Sequence, residues 1–573
     1  VGSDHLSLLA PVAELRAMAA LDGVRYVRPP LEAIRLEAPQ IGTITSEGVG
    51  LLGADDWHEV GFTGRGVRAA VVDFGFFDWS SLQDKGELPK NTICINHTTQ
   101  DNCGEAIPDN DHGSACAEIL YDMAPGIETL YLYTFDDEAD LARIVDHMIE
   151  AGVDVVSLSI GWVNGEPNDG SGLVSSQANR AWSLSDVFWA AAAGNHRLRH
   201  WEGHFVDTNG DGRHEFDAGG NVLNVLAYDG GYREISGHFT AALTWNDWPQ
   251  TAQDYDLYLL RRDGNTWRAH RSSTLVQDGD DPPAELLHAD LAPGVYALLI
   301  EARHQEGGPE YLELFALHTR LDARYRVKSS SILEPATADG AVAVAAFPHK
   351  DPAALEDYSS MGPRNPKGGG PFEPSACGQE PGPSCKPDFA GPDWVSSASY
   401  LPSALGGTSA AAPHIAGAAA LVRSAYPSWS SQEVYEFLKD RAEALSPQSV
   451  EAGPSGAGSA QDAAWGWGRL HLGDPPEDSI VKVDRFLAVP QGPIIRVEWQ
   501  TSTEINNKGF NLYRGALAGT EIVSINATLI PSHAPSPPDG ATYSWSDASI
   551  NPGQTYLYSL EVVGGDGKKT HHG

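Results

Sequence analysis

The sequence predicts an α/β protein. Its core is a doubly wound, mostly parallel sheet, interrupted by an inserted β-sandwich and followed by a C-terminal β-sandwich. Three observations carry this. Continuous apolar runs at 67–72, 154–160 and 186–195 lack alternation, as strands buried on both faces do. Between two of them, DEADLARIVDHMIEAG sets Leu141, Ile144, Val145, Met148 and Ile149 at helical spacing, so strands alternate with helices. From about 204 to 325 the helical signal gives way to short alternating runs (HFTAALTW, DYDLYLLR, GVYALLIEA, EYLELFAL) separated by turn residues.

The 573 residues exceed what one core accommodates. Residues 1–45 contain ELRAMAALDGVRYVRPP, a helix pattern, a turn and a strand, too small for a domain. Residues 46–203 carry the first half of the α/β pattern, with a further helix around 175–186. Residues 204–325 form the inserted sandwich. The α/β style returns at 326–475 with AVAVAAF, an Ala-rich helix, and SSQEVYEFLKDRAEAL, where Ser430 and Glu433 have capping-box spacing. GPSGAGS and DPPED mark loops and a linker. Residues 480–573 (VEWQTS, GFNLYRG, TYSWSD, TYLYSLEVV) read as the second sandwich.

A net charge of −39, with 11 Lys against 27 Arg, argues against nucleic-acid binding, which needs basic patches. No apolar run is long enough to span a membrane. Of five cysteines, Cys94–Cys103 and Cys377–Cys385 each close a short loop, predicting two local disulfides and an oxidising compartment. Cys116 remains, in an Ala-rich context, and reads as a buried thiol outside both pairs.

The stretch GGTSAAAPHIAGAAAL (406–421) places Ser409 at the start of a helix, just after a glycine turn. Pro413 is tolerated only near a helix start. Free backbone N–H groups and the positive dipole end gather there, where developing negative charge is stabilised. Asp73 ends the strand of VVDFGF, His112 opens a helix in NDHGSACAEIL, and Asn195 ends the strand of AAAGN. Ligands of such sheets bind at the carboxyl ends of the strands, where these residues fall.

That order, Asp, His, Asn, Ser, and the pieces VVDFG, DHGSACA, SLSIG, AAAGN, KPDFAGP and GGTSAAAPHIAG resemble the subtilisin-like serine peptidases. The resemblance implies Asp73, His112 and Ser409 as a catalytic triad. Asn195 would help to form an oxyanion hole. It implies Ser159, Ile160 and Gly161 as the edge on which extended substrate pairs, and Ala192, Ala193 and Gly194 as walls of the primary specificity pocket. Phe74 departs from the family, which usually has Ser or Thr after the acid; one hydroxyl near Asp73 is thus expected to be missing. Ala410 stands where several members carry an oxidisable Met. Cys116 resembles the thiol near the histidine of proteinase K-like members. His414 is expected to serve helix packing, not catalysis.

DTNGDGRHEFD has the spacing of a calcium loop. Asp207, Asn209, Asp211 and Glu215 fall at positions 1, 3, 5 and 9, Arg213 offers its carbonyl, and Asp217 stands near the closing position. Ala218 occupies the place of the closing Glu of an EF-hand, so a variant loop with structural Ca²⁺ is expected.

The inserted sandwich (TWNDW, DYDLYLL, LAPGVYALLIEA) resembles pre-peptidase C-terminal accessory domains, and the last (WQTSTEINNKGFNLYR) resembles fibronectin type III-like modules. RYVRPP resembles the end of a subtilisin-type propeptide, which would occupy the cleft until cut. The expectation is a secreted or cell-surface serine endopeptidase acting on polypeptides. The rival is a catalytically weak adhesion or carbohydrate-binding scaffold. Carboxyl peptidases of the same fold, which use Glu in place of His, are disfavoured by His112.

Overall fold

The computed structural model describes residues 33–35 (backbone only), 45–99, 101–107, 111–163, 165–305, 310–366, 385–443, 461–476, 480–505, 507–516, 522–532, 540–551, 553–564 and 569–572. Strand β1 (Ala33–Arg35) is followed by the short helices α1 (Gly48–Leu51) and α2 (Ala54–Glu59). The first α/β half then runs β2 (Arg68–Asp73), α3 (Trp79–Lys85), β3 (Thr92–Asn96), α4 (Asp111–Met123), β4 (Thr129–Thr134) and α5 (Asp140–Ala151). It continues through β5 (Val155–Leu158), β6 (Ile160–Trp162), α6 (Leu173–Ser185) and β7 (Phe188–Ala192). The insert supplies β8 (His200–His204), β9 (Asn224–Val225), β10 (Ile235–Trp245), β11 (Asp254–Asp263), β12 (Thr266–Ser273), β13 (Ala284–Gly294), β14 (Tyr296–His304) and β15 (Tyr311–Ala316). The second half brings β16 (Val342–Pro348), β17 (Phe389–Asp393), α7 (Thr408–Ala425) and α8 (Ser431–Arg441).

Seven strands form one sheet in the order β17-β16-β7-β5-β2-β4-β3, and every pair is parallel. Its strands lack sequence alternation because both faces are covered. In β2, Ala69 and Val71 join the core beneath α4 and α7, while Ala70 and Val72 join the core beneath α5 and α6. In β7, Phe188, Ala190 and Ala192 face the first core and Trp189, Ala191 and Ala193 the second. Gly152 ends α5 in the left-handed region (φ 65°), and Ser430 with Glu433 makes the capping box of α8 that the spacing predicts. Small residues let α7 lie close to α4: a Cβ on Gly417 would come within 2.3 Å of Met123 Cβ. These two helices carry the candidate histidine and serine.

The insert is a pair of four-stranded antiparallel sheets, β13-β10-β15-β8 and β12-β11-β14-β9. Between them lie Leu243, Trp245, Tyr255, Leu257, Leu298 and Leu314. The opposite face of the first sheet turns Ala242 and Phe315 into the α/β core, so the insert is seated on the parallel-sheet domain. The C-terminal residues form antiparallel sheets around Trp499, Phe510 and Tyr543; the Trp499 and Tyr543 rings stack at 5.1 Å. Cys94 and Cys103 are disulfide-bonded. Cys377 of the other expected pair lies outside the described residues, as does the N-terminal ELRAMAALDGVRYVRPP segment. Among the described residues no helix is long and apolar enough to cross a membrane.

Candidate active site

The parallel register ends β2 at Asp73, beside the first turn of α4. Asp73 and His112 are fully buried, and His112 Nδ1 lies 2.7 Å from Asp73 Oδ2. The Phe74 backbone N–H donates to Asp73 Oδ1 at 2.8 Å. The hydroxyl expected to be missing at position 74 is thus replaced by an amide of the chain itself. The Phe74 ring packs on Phe135 at 5.2 Å, which explains an aromatic there. Ser114 Oγ donates to the Phe77 carbonyl at 2.7 Å, tying α4 to the turn after β2. The approach is close enough that a Cβ on Gly113 would meet the Gly75 carbonyl oxygen at 2.5 Å and Asp73 Cβ at 2.8 Å.

Ser409 is the second residue of α7 and is fully buried. It makes a reciprocal clamp with Ser159. Ser409 Oγ donates to the Ser159 carbonyl at 3.2 Å, and Ser159 Oγ donates to the Ser409 carbonyl at 2.9 Å. Cys116 Sγ donates to that same carbonyl at 3.5 Å. One ligand atom each of Cys116, Asp73 and His112 lies within 4.8 Å of the others. Cys116 thus sits between the Asp–His pair and the serine backbone.

Asn195 Oδ1 accepts from the Thr408 backbone N–H (3.1 Å) and from Thr408 Oγ1 (3.2 Å), and Thr408 Oγ1 accepts from the Gly194 N–H (3.1 Å). With its oxygen so held, the amide of Asn195 has its NH₂ as the end that can donate elsewhere. Gly407 (φ 92°) makes the turn before the helix. Its N–H donates to Asp393 Oδ2 at 2.9 Å. Burial pushes the Asp393 carboxyl up to about 7, and Tyr358 Oη also donates to it. Sequence reasoning misses Thr408, Tyr358 and Asp393. Only Thr408, inside GGTS, carries a local signal.

Backbone pairing places β1 along β6, antiparallel, with Ala33 opposite Trp162, Ile34 opposite Gly161 and Arg35 opposite Ile160. Ile160 and Gly161 therefore do bear an added strand. Leu333 packs against both Gly161 and Gly194. A Cβ on Gly161 would meet Leu333 Cδ1 at 2.9 Å, and one on Gly194 would meet Leu333 Cγ at 3.1 Å. The Leu333 N–H donates to the Ala193 carbonyl (3.1 Å), and the Trp162 N–H to the Glu334 carbonyl (3.0 Å). Ala192 and Ala193 are buried beside it.

In the acidic loop, Asp207 accepts from the N–H groups of Gly210, Asp211 and Gly212, Asn209 from that of Asp211, and Asp211 from that of Arg213. Glu215 is met by Thr208 Oγ1 at 2.7 Å. Asp217 has a different set of donors. It accepts from Tyr325 Oη (2.7 Å) and from the Asn221 amide, donors that hold its carboxyl below the usual range, and so builds a separate turn. Among the described residues, the sets of three metal-ligating side chains drawn within 4.8 Å lie elsewhere, so the loop's carboxylates stand further apart than that.

The fold thus sets a buried acid and imidazole at a strand end and a serine at the start of the neighbouring helix. Residues 324–468 match the sequence model of the subtilase family. The span contains β16, β17 and α7 with Ser409; Asp73, His112 and Asn195 precede it. No curated protein matches. Among solved structures, the Clostridium perfringens CspB protease is similar at 14% identity and TM-score 0.47, covering 72% of this chain and 94% of its own. MycP1 with the N-terminal propeptide removed is similar at 15% identity and TM-score 0.38, covering 76% and 99%.

His414, five residues after Ser409 in α7, is fully buried and packs as expected. Its Nδ1–H donates to the Ala410 carbonyl (2.7 Å), which leaves Nε2 to accept from Ser46 Oγ (2.5 Å). Burial lowers its pKa from 6.5 to about 4. The folded state therefore binds this proton less readily than the unfolded chain. The contribution is full above pH 6.5 and is lost as pH falls towards 4. Between those limits, wild type should lose on the order of 3 kcal/mol that His414→Gln does not lose. Denaturant unfolding at several pH values checks this; parallel slopes for the two proteins would refute it.

Proposed function

We propose that the chain is a secreted serine endopeptidase with Asp73, His112 and Ser409 as its triad. The observation that carries the reading is the buried 2.7 Å contact between His112 Nδ1 and Asp73 Oδ2. A carboxylate at Nδ1 holds the proton there, which makes Nε2 the basic nitrogen. Nε2 takes the Ser409 proton as the hydroxyl attacks a peptide carbonyl, then returns it to the leaving amine. Asp73 stabilises the imidazolium formed between. The tetrahedral oxyanion is met by the Asn195 side-chain NH₂ and the Ser409 backbone N–H. Loss of one such donor costs about 10²–10³ in turnover, a magnitude that itself comes from a subtilisin. Water then releases the acyl group from Ser409.

The strand laid along β6 supports extended polypeptide as substrate, bound by main-chain pairing. It equally supports residues 1–45 as a propeptide that lies on the substrate edge. The Cys94–Cys103 disulfide supports an extracellular location. The side-chain-to-backbone hydrogen bonds of Asp207, Asn209 and Asp211, which curl the loop, support a structural Ca²⁺ held by these three, the Arg213 carbonyl and Glu215, with Asp217 near the closing position.

A fluorophosphonate probe should label the processed wild-type protein on Ser409 and leave Ser409→Ala unlabelled; equal labelling of both, or none of either, would sink the peptidase reading. Because Leu333 fills the pocket, cleavage should follow small residues such as Ala. Leu333→Gly should shift kcat/KM towards large apolar residues by about 10–200-fold, the range for one or a few methylenes. An unchanged peptide-library profile would contradict this. Removing Ca²⁺ with a chelator should lower the melting temperature by several degrees, and an unmoved Tm would count against the loop as a metal site.

A further inference from the structure

His200, Glu202 and Glu313 meet where the insert joins the α/β domain. Side chains two apart on a strand share a face, so His200 and Glu202 of β8 point the same way. Antiparallel register sets Glu313 of β15 directly opposite Glu202. Like charges directly opposite destabilise a sheet, and burial multiplies that cost. Yet these side chains are 0%, 6% and 4% exposed. Ser329 Oγ donates to Glu202 Oε1 (3.2 Å), and Asn365 Nδ2 to Glu313 Oε2 (3.0 Å). His200 Nδ1–H donates to the Val327 carbonyl (3.0 Å). One atom of each remains buried without a hydrogen-bond partner: His200 Nε2, Glu202 Oε2 and Glu313 Oε1. The three residues bring one ligand atom each to within 4.8 Å of the others.

We propose that His200, Glu202 and Glu313 bind a divalent transition-metal ion of the Zn²⁺ class, which cross-links β8 and β15 where the insert joins the α/β domain. A backbone carbonyl on Nδ1–H fixes the tautomer with Nε2 bare, the usual outer-sphere arrangement of a ligating histidine. His200 Nε2 and Glu313 Oε1 stand 3.7 Å apart, too far for a hydrogen bond. Two ligands of one tetrahedral zinc, each at about 2.0–2.2 Å, stand roughly 3.4 Å apart. Imidazole nitrogen favours zinc-like ions over Ca²⁺ and Mg²⁺, which take oxygen. Two carboxylates and a neutral imidazole sum to a charge that one divalent cation cancels. The site is separate from the acidic loop and from Ser409.

The test uses the full chain, stripped with chelator, held in excess Ca²⁺ to fill the acidic loop, loaded with Zn²⁺ and gel-filtered. Metal analysis should find one zinc retained per chain. His200→Gln and Glu313→Gln should each lose it, while His112→Ala keeps it, which separates this site from the Asp73–His112–Cys116 cluster. If the variants do not fold, stripped wild type decides: Zn²⁺ should raise its melting temperature in the presence of Ca²⁺. No retained zinc and no Zn²⁺-dependent rise would mean that the three groups share a proton only, and would overturn the proposal. Equal zinc retention in wild type and folded variants would overturn it too.

Discussion

One buried contact organises the candidate site: the carboxylate that ends β2 against the imidazole in the first turn of α4. A carboxylate at the end of a fully covered strand has no water to turn to. It is satisfied from within, by His112 Nδ1 and the Phe74 amide. Both donors require the chain after β2 to turn back against α4, which Gly113 permits by having no Cβ and Ser114 secures by bonding the Phe77 carbonyl. The small side chains of α4 and α7 then let the serine helix settle against the histidine helix.

The second half of the site depends on the first through the sheet. β7 delivers Asn195 at its end, and Thr408 binds both the Asn195 oxygen and the Gly194 amide, locking the start of α7 to the strand. Gly407 turns above Asp393, a carboxyl that burial pushes up to about 7 and that also accepts from Tyr358 Oη. The insert leaves the parallel-sheet domain just after Asn195, so whatever holds β8 also constrains the chain beside Asn195. That is the physical interest of a buried His–Glu–Glu cluster at this joint.

Much of the fold is legible in the sequence because its signals are local. Apolar runs without alternation mark the parallel strands, and a glycine turn before an alanine run marks the start of α7. Short spacing identifies Cys94–Cys103. The candidate triad is legible only as a set, since each member alone has an ordinary explanation. Features that depend on register or on distant packing are not legible. Phe74 in the sequence suggests that Asp73 lacks a donor, but the backbone amide that serves instead carries no sequence signal. Asp217 has spacing near the closing position of a calcium loop, but its bond to Tyr325, far along the chain, carries no sequence signal. Leu333 lies in a different half of the domain from the glycines it packs against. The cross-strand pairing of Glu202 with Glu313 exists only once the sandwich is built.

Whether His112 carries its proton on Nδ1, facing Asp73, decides the triad assignment. Proton NMR of protein labelled with ¹⁵N at histidine tests this most directly. A strongly hydrogen-bonded proton far downfield, coupled to His112 Nδ1, is expected in wild type and in Ser409→Ala, and is lost in Asp73→Asn. Its absence from folded wild type, or its survival unchanged in Asp73→Asn, would contradict the assignment.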